Sequence, residues 1–280
     1  MHEFLRMKIL TIAPILWMLT WPATLYAQAK IDQVEKLMEL AGSTHTIELL
    51  IEEMQLEQVK EKINLLDDGL TVLEERLYFK KLSLADIKDN ISKILLESLS
   101  EDEVSALVTF YEQPLIKRML GLRKKHETND NTQSTKKFLK ALIDNPPARQ
   151  RIELIHQLVD ASLFVEQQVY LSAVISYEKN KTPLAFYERY DEEQAQRLEY
   201  YIERYKENMV SAIKPEARVT FMKIFAPLND DEINQLISLL RGKERLAYQA
   251  AFIDAAAEVL GNGVKTGIIE ILSHRKKRSS

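Results

Sequence analysis

The chain of 280 residues contains no cysteine. That excludes disulfide staples, thiol nucleophiles, thiol exchange and cysteine-ligated metals. Without staples the fold rests on its hydrophobic core, and the length suffices for one large domain or two smaller ones. Glycine is scarce, at seven residues, with none between Gly121 and Gly242. Runs of alternating β-branched residues are missing, which argues against a sheet protein. Neither charge sign dominates: 38 Lys and Arg stand against 42 Asp and Glu, a net charge of −4. The basic surplus of a nucleic-acid binder is therefore absent. Histidine numbers only five, and neither a Gly-x-Ser-x-Gly elbow nor a His-Glu-x-x-His pair occurs. After the first thirty residues every apolar run is interrupted by charge, so no later stretch reaches the roughly 20 residues a membrane span needs.

What is present begins with a leader. Arg6 and Lys8 precede an uncharged apolar run from Ile9 to Trp21, then Pro22 and the small residues Ala23, Ala27 and Ala29. This is the layout of a secretory signal peptide, with cleavage after Ala27 or Ala29 and Met1 or Met7 as the start. Export of a large cysteine-free chain points to the bacterial periplasm. Residues 1–27 are assigned to the leader on this reading.

The remainder is rich in Leu, Ile, Glu, Lys and Gln, the straight-chain and apolar residues that favour helix. Apolar residues recur at helical spacing: Val34, Leu37, Met38; Ile47, Leu50, Ile51; Ile63, Leu66, Leu70, Leu73, Leu77; Ile87, Ile91, Leu95; Ile152, Ile155, Val159. The expected fold is an all-α helical bundle made of two related halves. The first occupies 28–125, a polar linker 126–144, and the second 145–280. From Arg123 to Lys137 the apolar pattern stops, which marks the border. Asn145-Pro146, Thr182-Pro183 and Pro215 are expected to open helices, and Gly261-Asn262-Gly263 to close one.

Two stretches carry the same signature. Leu99-Ser100-Glu101-Asp102-Glu103-Val104 recurs as Leu228-Asn229-Asp230-Asp231-Glu232-Ile233. Each has an N-cap residue, an acid three residues later and a following apolar stripe, which is the pattern of a capping box. Val34–Leu40 aligns more weakly with Ile152–Leu158. The acids sit on a first helical turn, where negative charge suits the helix dipole, so they read as start signals and not as a cation site.

The first copy, with Ser100 and Glu103 leading to Phe110-Tyr111 and then Pro114, resembles the ending of domain-of-unknown-function family 2059, which consists of exported, mostly helical bacterial proteins. The likeness covers about 31–125, with a degenerate copy from about Arg149. Gln113 and Ile116 depart from the family's Ser and Gly, and Leu239-Leu240 replaces Phe-Tyr in the second copy. The resemblance implies export and a helical fold. It implies no activity.

The remaining chemistry is thin. Glu153 and His156 have the spacing of a di-iron ligand pair, but no second Glu-x-x-His exists to complete one. Gly261–Gly267 lacks the glycine spacing of either nucleotide fingerprint. An aromatic and charged cluster, Tyr187, Tyr190, Arg197, Tyr201 and Tyr205, is the best candidate contact surface, since tyrosines present an apolar ring with a polar tip. The residues Ser100, Glu103, Phe110, Tyr111 and Pro114 are assigned structural roles. No catalytic residue, metal or cofactor is assigned. The expected function is non-enzymatic binding, through a helical groove, of a protein, glycan or lipid of the cell envelope. An envelope hydrolase with paired carboxylates and a lipid carrier with an apolar cavity between the halves are the rivals.

Overall fold

The computed structural model describes residues 30–60, 82–129 and 132–279. The leader and the stripe from Ile63 to Leu77 lie outside them. The described residues form eleven helices and no strand. In chain order these are α1 (30–40), α2 (Ser43–Lys60), α3 (Leu84–Ser98), α4 (Glu101–Tyr111), α5 (Pro114–Asn129), α6 (Thr132–Asp144), α7 (Arg149–Ser162), α8 (Phe164–Phe186), α9 (Glu192–Ile224), α10 (Asp230–Leu240) and α11 (Lys243–Ser279). The protein is an all-α helical bundle. No single helix among the described residues is long and apolar enough to cross a membrane.

Helical spacing becomes burial directly. Val34, Leu37 and Met38 of α1 are fully buried, as are Ile47 of α2 and Ile91 and Leu95 of α3. Leu154, Ile155, Leu158 and Val159 of α7 face Ile233, Leu236, Ile237 and Leu240 of α10 in the same core. One continuous cluster runs from Val34 to Leu272, so the two halves share a core. The long helix α11 joins them, packing on α3 and α4 on one side and α8 on the other. At Gly261 an added Cβ would stand 3.2 Å from Cγ1 of Val174 on α8.

Both copies of the repeated signature are capped helices of 11 residues. The Ser100 hydroxyl accepts from the Glu103 N–H at 3.3 Å, and the Ser100 N–H donates to the Glu103 carboxylate at 2.8 Å. In the second copy Asn229 Oδ1 accepts from the Glu232 N–H at 2.9 Å, and the Asn229 N–H donates to Glu232 at 2.9 Å. Two orphan donors at each helix start are thereby satisfied. The second copy is also tied down from outside. Arg151 donates to Asp230 at 2.8 Å and to the Phe225 carbonyl at 2.8 Å. Arg118 of α5 pairs with Glu232 and donates to the Pro227 carbonyl at 3.2 Å.

Several expected breaks are absent. Thr182-Pro183 lies in the last turn of α8 and Pro215 within α9. A proline inside a helix forfeits one backbone hydrogen bond and costs about 3 kcal/mol. Burial of Ala217, Phe221 and Ile224 just beyond Pro215 holds α9 in one piece. Gly261-Asn262-Gly263 does not end a helix either, since α11 runs through it to Ser279. The gap in the apolar pattern from Arg123 to Lys137 is mostly helix, with α5 reaching Asn129 and α6 starting at Thr132. Three breaks among the described residues use left-handed backbone, one of them at Glu188 (φ 56°) between α8 and α9. Gly42 (φ 73°) turns α1 into α2, and Leu163 (φ 57°) turns α7 into α8, whose axes bend by 42°.

Candidate functional site

A cleft runs between helices before residue 130 and helices after residue 148. Its inner part is a small chamber of about 50 Å³ floored by α11 and edged by α2, α4, α5, α7 and α8, with Ser43, Thr46, Tyr111, Arg123, Gln167, Arg245 and Gln249 among its lining. Its outer part, about 330 Å³, opens between α2 and α5 on one side and α8 and α9 on the other. Leu49, Leu50, Ile213, Ala217, Phe221 and Ile224 give the outer wall its apolar character. The two spaces adjoin, because Thr46, Arg123, Phe164, Gln167 and Phe221 border both.

Each polar group of the floor has a structural origin. Arg245 stands at the start of α11, where the ends of α7 and α10 converge. Its Nη1 donates to the Ala161 carbonyl at 3.0 Å and the Leu240 carbonyl at 3.1 Å, and its Nη2 to the Ser162 carbonyl at 2.7 Å. These are the orphan acceptors of two helix C-termini, where a cation also meets the negative end of the dipole. The side chain is 6 % exposed, and its Nε is buried without a hydrogen-bond partner. One turn on, the Tyr248 hydroxyl meets that of Ser43 at 3.0 Å. Gln249 donates to Gln167 at 2.6 Å, joining α11 to α8. Tyr111 packs edge-on against Tyr248, centroids 6.1 Å apart.

The electrostatics follow from burial. Desolvation lowers the Arg245 pKa; the Tyr111 hydroxyl opposes this and the Arg123 charge adds to it. Desolvation raises Tyr111, against the pull of Arg245 and Arg123. Tyr248 is pushed far above the ordinary phenol value by complete burial. Both phenols are therefore neutral. Among the described residues, the inner chamber is lined by two guanidinium groups and no carboxylate, and the outer cleft by Arg123, His45, His126 and a single acid, Glu216.

The aromatic cluster chosen from sequence stands elsewhere. Tyr190 precedes α9, where its hydroxyl meets that of Tyr177 at 3.2 Å and Lys181 lies 5.5 Å from its ring centre. The Tyr177 hydrogen bond raises the Tyr190 pKa. Tyr201 and Tyr205 stack at 6.3 Å. Tyr190 and Tyr205 are half-buried against Ala173, Leu198 and Ile202, whereas Tyr187 and Tyr201 are exposed. Arg197 pairs with Glu193, and with Tyr201 it edges a separate shallow groove. None of these five residues borders the cleft. Of the motif residues, Ser100 and Glu103 cap α4, Pro114 opens α5 at its first position and Phe110 packs edge-on against Tyr111 at 5.0 Å. Tyr111 alone reaches the cleft. His156 meets only Glu153, at 3.7 Å, and no group of three potential metal ligands gathers among the described residues.

Sequence reasoning missed Arg123, Gln167, Arg245 and Gln249. A faint signal existed: Gln167 stands between Val165 and Val169, and Arg245 and Gln249 flank Tyr248 on an otherwise apolar stripe. Buried polar groups in such stripes are costly and need a stated partner. No family model matches this chain, and neither any curated protein nor any solved structure is similar to it.

Proposed function

We propose that this chain is an exported, non-catalytic binding protein whose site is the cleft between its halves. Its ligand is a single-chain amphiphile with a small acidic head, of the fatty-acid class. The observation that carries this reading is the junction of two unlike spaces. An apolar cleft of about 330 Å³ leads into a polar chamber of about 50 Å³ that holds Arg123 and Arg245 and, among the described residues, no carboxylate. A chamber of that size takes a few water-sized groups, which matches a carboxylate and not an esterified phosphate. The Arg245 Nε is buried without a hydrogen-bond partner and Arg123 is half-buried, and these two guanidinium groups are the donors assigned to the head. The tail then lies along Leu49, Ile213, Ala217 and Phe221.

Magnitudes agree with a reversible carrier. Ten buried methylenes contribute about 8 kcal/mol gross, and a hydrogen bond to a charged group about 1.5–3 kcal/mol. Association costs at least about 4 kcal/mol, which leaves a dissociation constant of about 10–100 micromolar. The leader motif and the family resemblance support the periplasm as the place of action. A hydrolase with paired acids needs two facing carboxylates, and among the described residues the cleft lining offers Glu216 alone.

Native mass spectrometry of the protein, purified from its exported fraction without detergent, tests this reading. A bound mass in the fatty-acid range, released on mild activation, is expected. A bare protein that also fails to take up added hexadecanoate would contradict it.

A further inference from the structure

From Lys136 onward helix α6 is amphipathic and uncovered. From Lys136 to Asp144 no side chain is buried. Leu139 is 40 % and Ile143 79 % exposed, and Phe138 and Leu142 are half-buried. At 3.6 residues per turn, Phe138, Leu139, Leu142 and Ile143 fall within an arc of about 140°, and Lys136, Lys137 and Lys140 within about 100° of the other side. All three lysines are exposed.

The surrounding chain is charged in the same sense. Between Lys117 and Arg151 ten Lys and Arg residues stand against three acids, although the whole chain carries −4. An apolar stripe bordered by lysines, on a helix with few acids, is the pattern of a helix lying in a membrane interface. A second copy of the chain is the poorer occupant, because two such helices face to face would bring like charges together. An anionic lipid surface complements both faces at once.

We infer that α6 is an interfacial docking helix that rests on anionic phospholipid. Phe138, Leu139, Leu142 and Ile143 enter the acyl boundary, and Lys136, Lys137 and Lys140 lie among the headgroups. The inference stands independently of the cleft, since no α6 residue lines it.

Co-sedimentation of the full chain with vesicles tests it. Vesicles with phosphatidylglycerol are expected to retain the protein at low salt, with retention falling as salt rises, and pure phosphatidylcholine to retain at least about tenfold less. Leu139→Asp with Ile143→Asp should lower the partition coefficient about tenfold or more with an unchanged thermal melt, since both side chains are exposed. Lys136→Glu, Lys137→Glu and Lys140→Glu should each cost about fivefold on anionic vesicles. Three results would overturn the inference. The first is equal retention by both vesicle types. The second is full retention of the double aspartate variant, which would assign binding to another surface such as the basic end of α11. The third is a dimer in sedimentation velocity that the aspartates abolish, which would make a second copy the occupant.

Discussion

Replacing Arg245 by methionine removes the fork that closes two helices at once. The guanidinium serves the carbonyls of Ala161, Ser162 and Leu240 at 2.7–3.1 Å, and the residue is 6 % exposed. Each hydrogen bond from a charged donor is worth about 1.5–3 kcal/mol. Three such bonds do not add in full, for two reasons. Water in the adjoining chamber can reach part of the freed acceptors, and methionine avoids the desolvation of a buried charge. The expected net loss is about 3 kcal/mol, or about 6–12 °C in Tm for a chain of this length. Arg245→Lys keeps the charge but lacks the planar fork, and should recover only part of the loss. Paired thermal and urea melts followed by circular dichroism measure both. A loss under about 1 kcal/mol for the methionine variant would refute the claim that Arg245 closes α7 and α10.

Other outcomes follow from the same geometry. Ser100→Ala and Asn229→Ala each remove a capping oxygen and should cost about 1 kcal/mol in urea melts. The Asn229 change should also loosen the Arg151–Asp230 pair, visible as faster amide exchange at the start of α10. The two hydrogen bonds from Ser100 depress the Glu103 pKa, so its contribution is present above the ordinary carboxylate value of 4.5 and is lost as pH falls through the lower folded value. Glu103→Gln should therefore flatten the acid side of the stability–pH profile and leave the slope above pH 6 unchanged. Gly261→Leu forces a side chain against Val174 and should destabilise by about 1–3 kcal/mol, whereas Gly261→Ala asks Val174 to give only a few tenths of an ångström.

How much was legible depended on the range of the interaction. The capping boxes at Ser100 and Asn229 were readable because donor and acceptor lie three residues apart and the signal is complete within the motif. The stripes of α1, α3, α7 and α10 were readable because burial follows a fixed period. Pro183 and Pro215 were misread as helix starts and Gly261 as a helix end because a local propensity of about 1–3 kcal/mol is outweighed by packing partners far away in sequence. Gly261 is the clearest case. It looks like a stop, and it is the small residue that lets α11 approach Val174 of α8. The polar stretch around Lys124 lacked an inward stripe and so read as a linker; α6 within it is helical with its apolar side uncovered. The cleft was not legible at all. Its polar floor joins Ser43 to Tyr248 and Gln167 to Gln249, pairs 205 and 82 residues apart, and no spacing rule connects them. The tyrosine cluster drew notice because aromatics at short spacing are conspicuous, yet half of it packs against Leu198 and Ile202.

The central claim is that the cleft between the halves takes an acid-headed amphiphile, and a matched titration tests it most directly. Hexadecanoate, hexadecanol and hexadecylamine are titrated by calorimetry, below their aggregation limits, against the protein, its Arg123→Gln variant and its Thr220→Trp variant. Thr220 lines the outer cleft, so tryptophan there fills the tail space. The acid is expected to bind at about 10–100 micromolar, the alcohol at least about tenfold more weakly and the amine weakest. Arg123→Gln should remove most of the acid's advantage, and Thr220→Trp should abolish binding of acid and alcohol alike. Equal affinity for acid and alcohol would contradict the assignment of the head group to Arg123 and Arg245. Binding of neither, or binding that Thr220→Trp leaves intact, would contradict the cleft itself as the site.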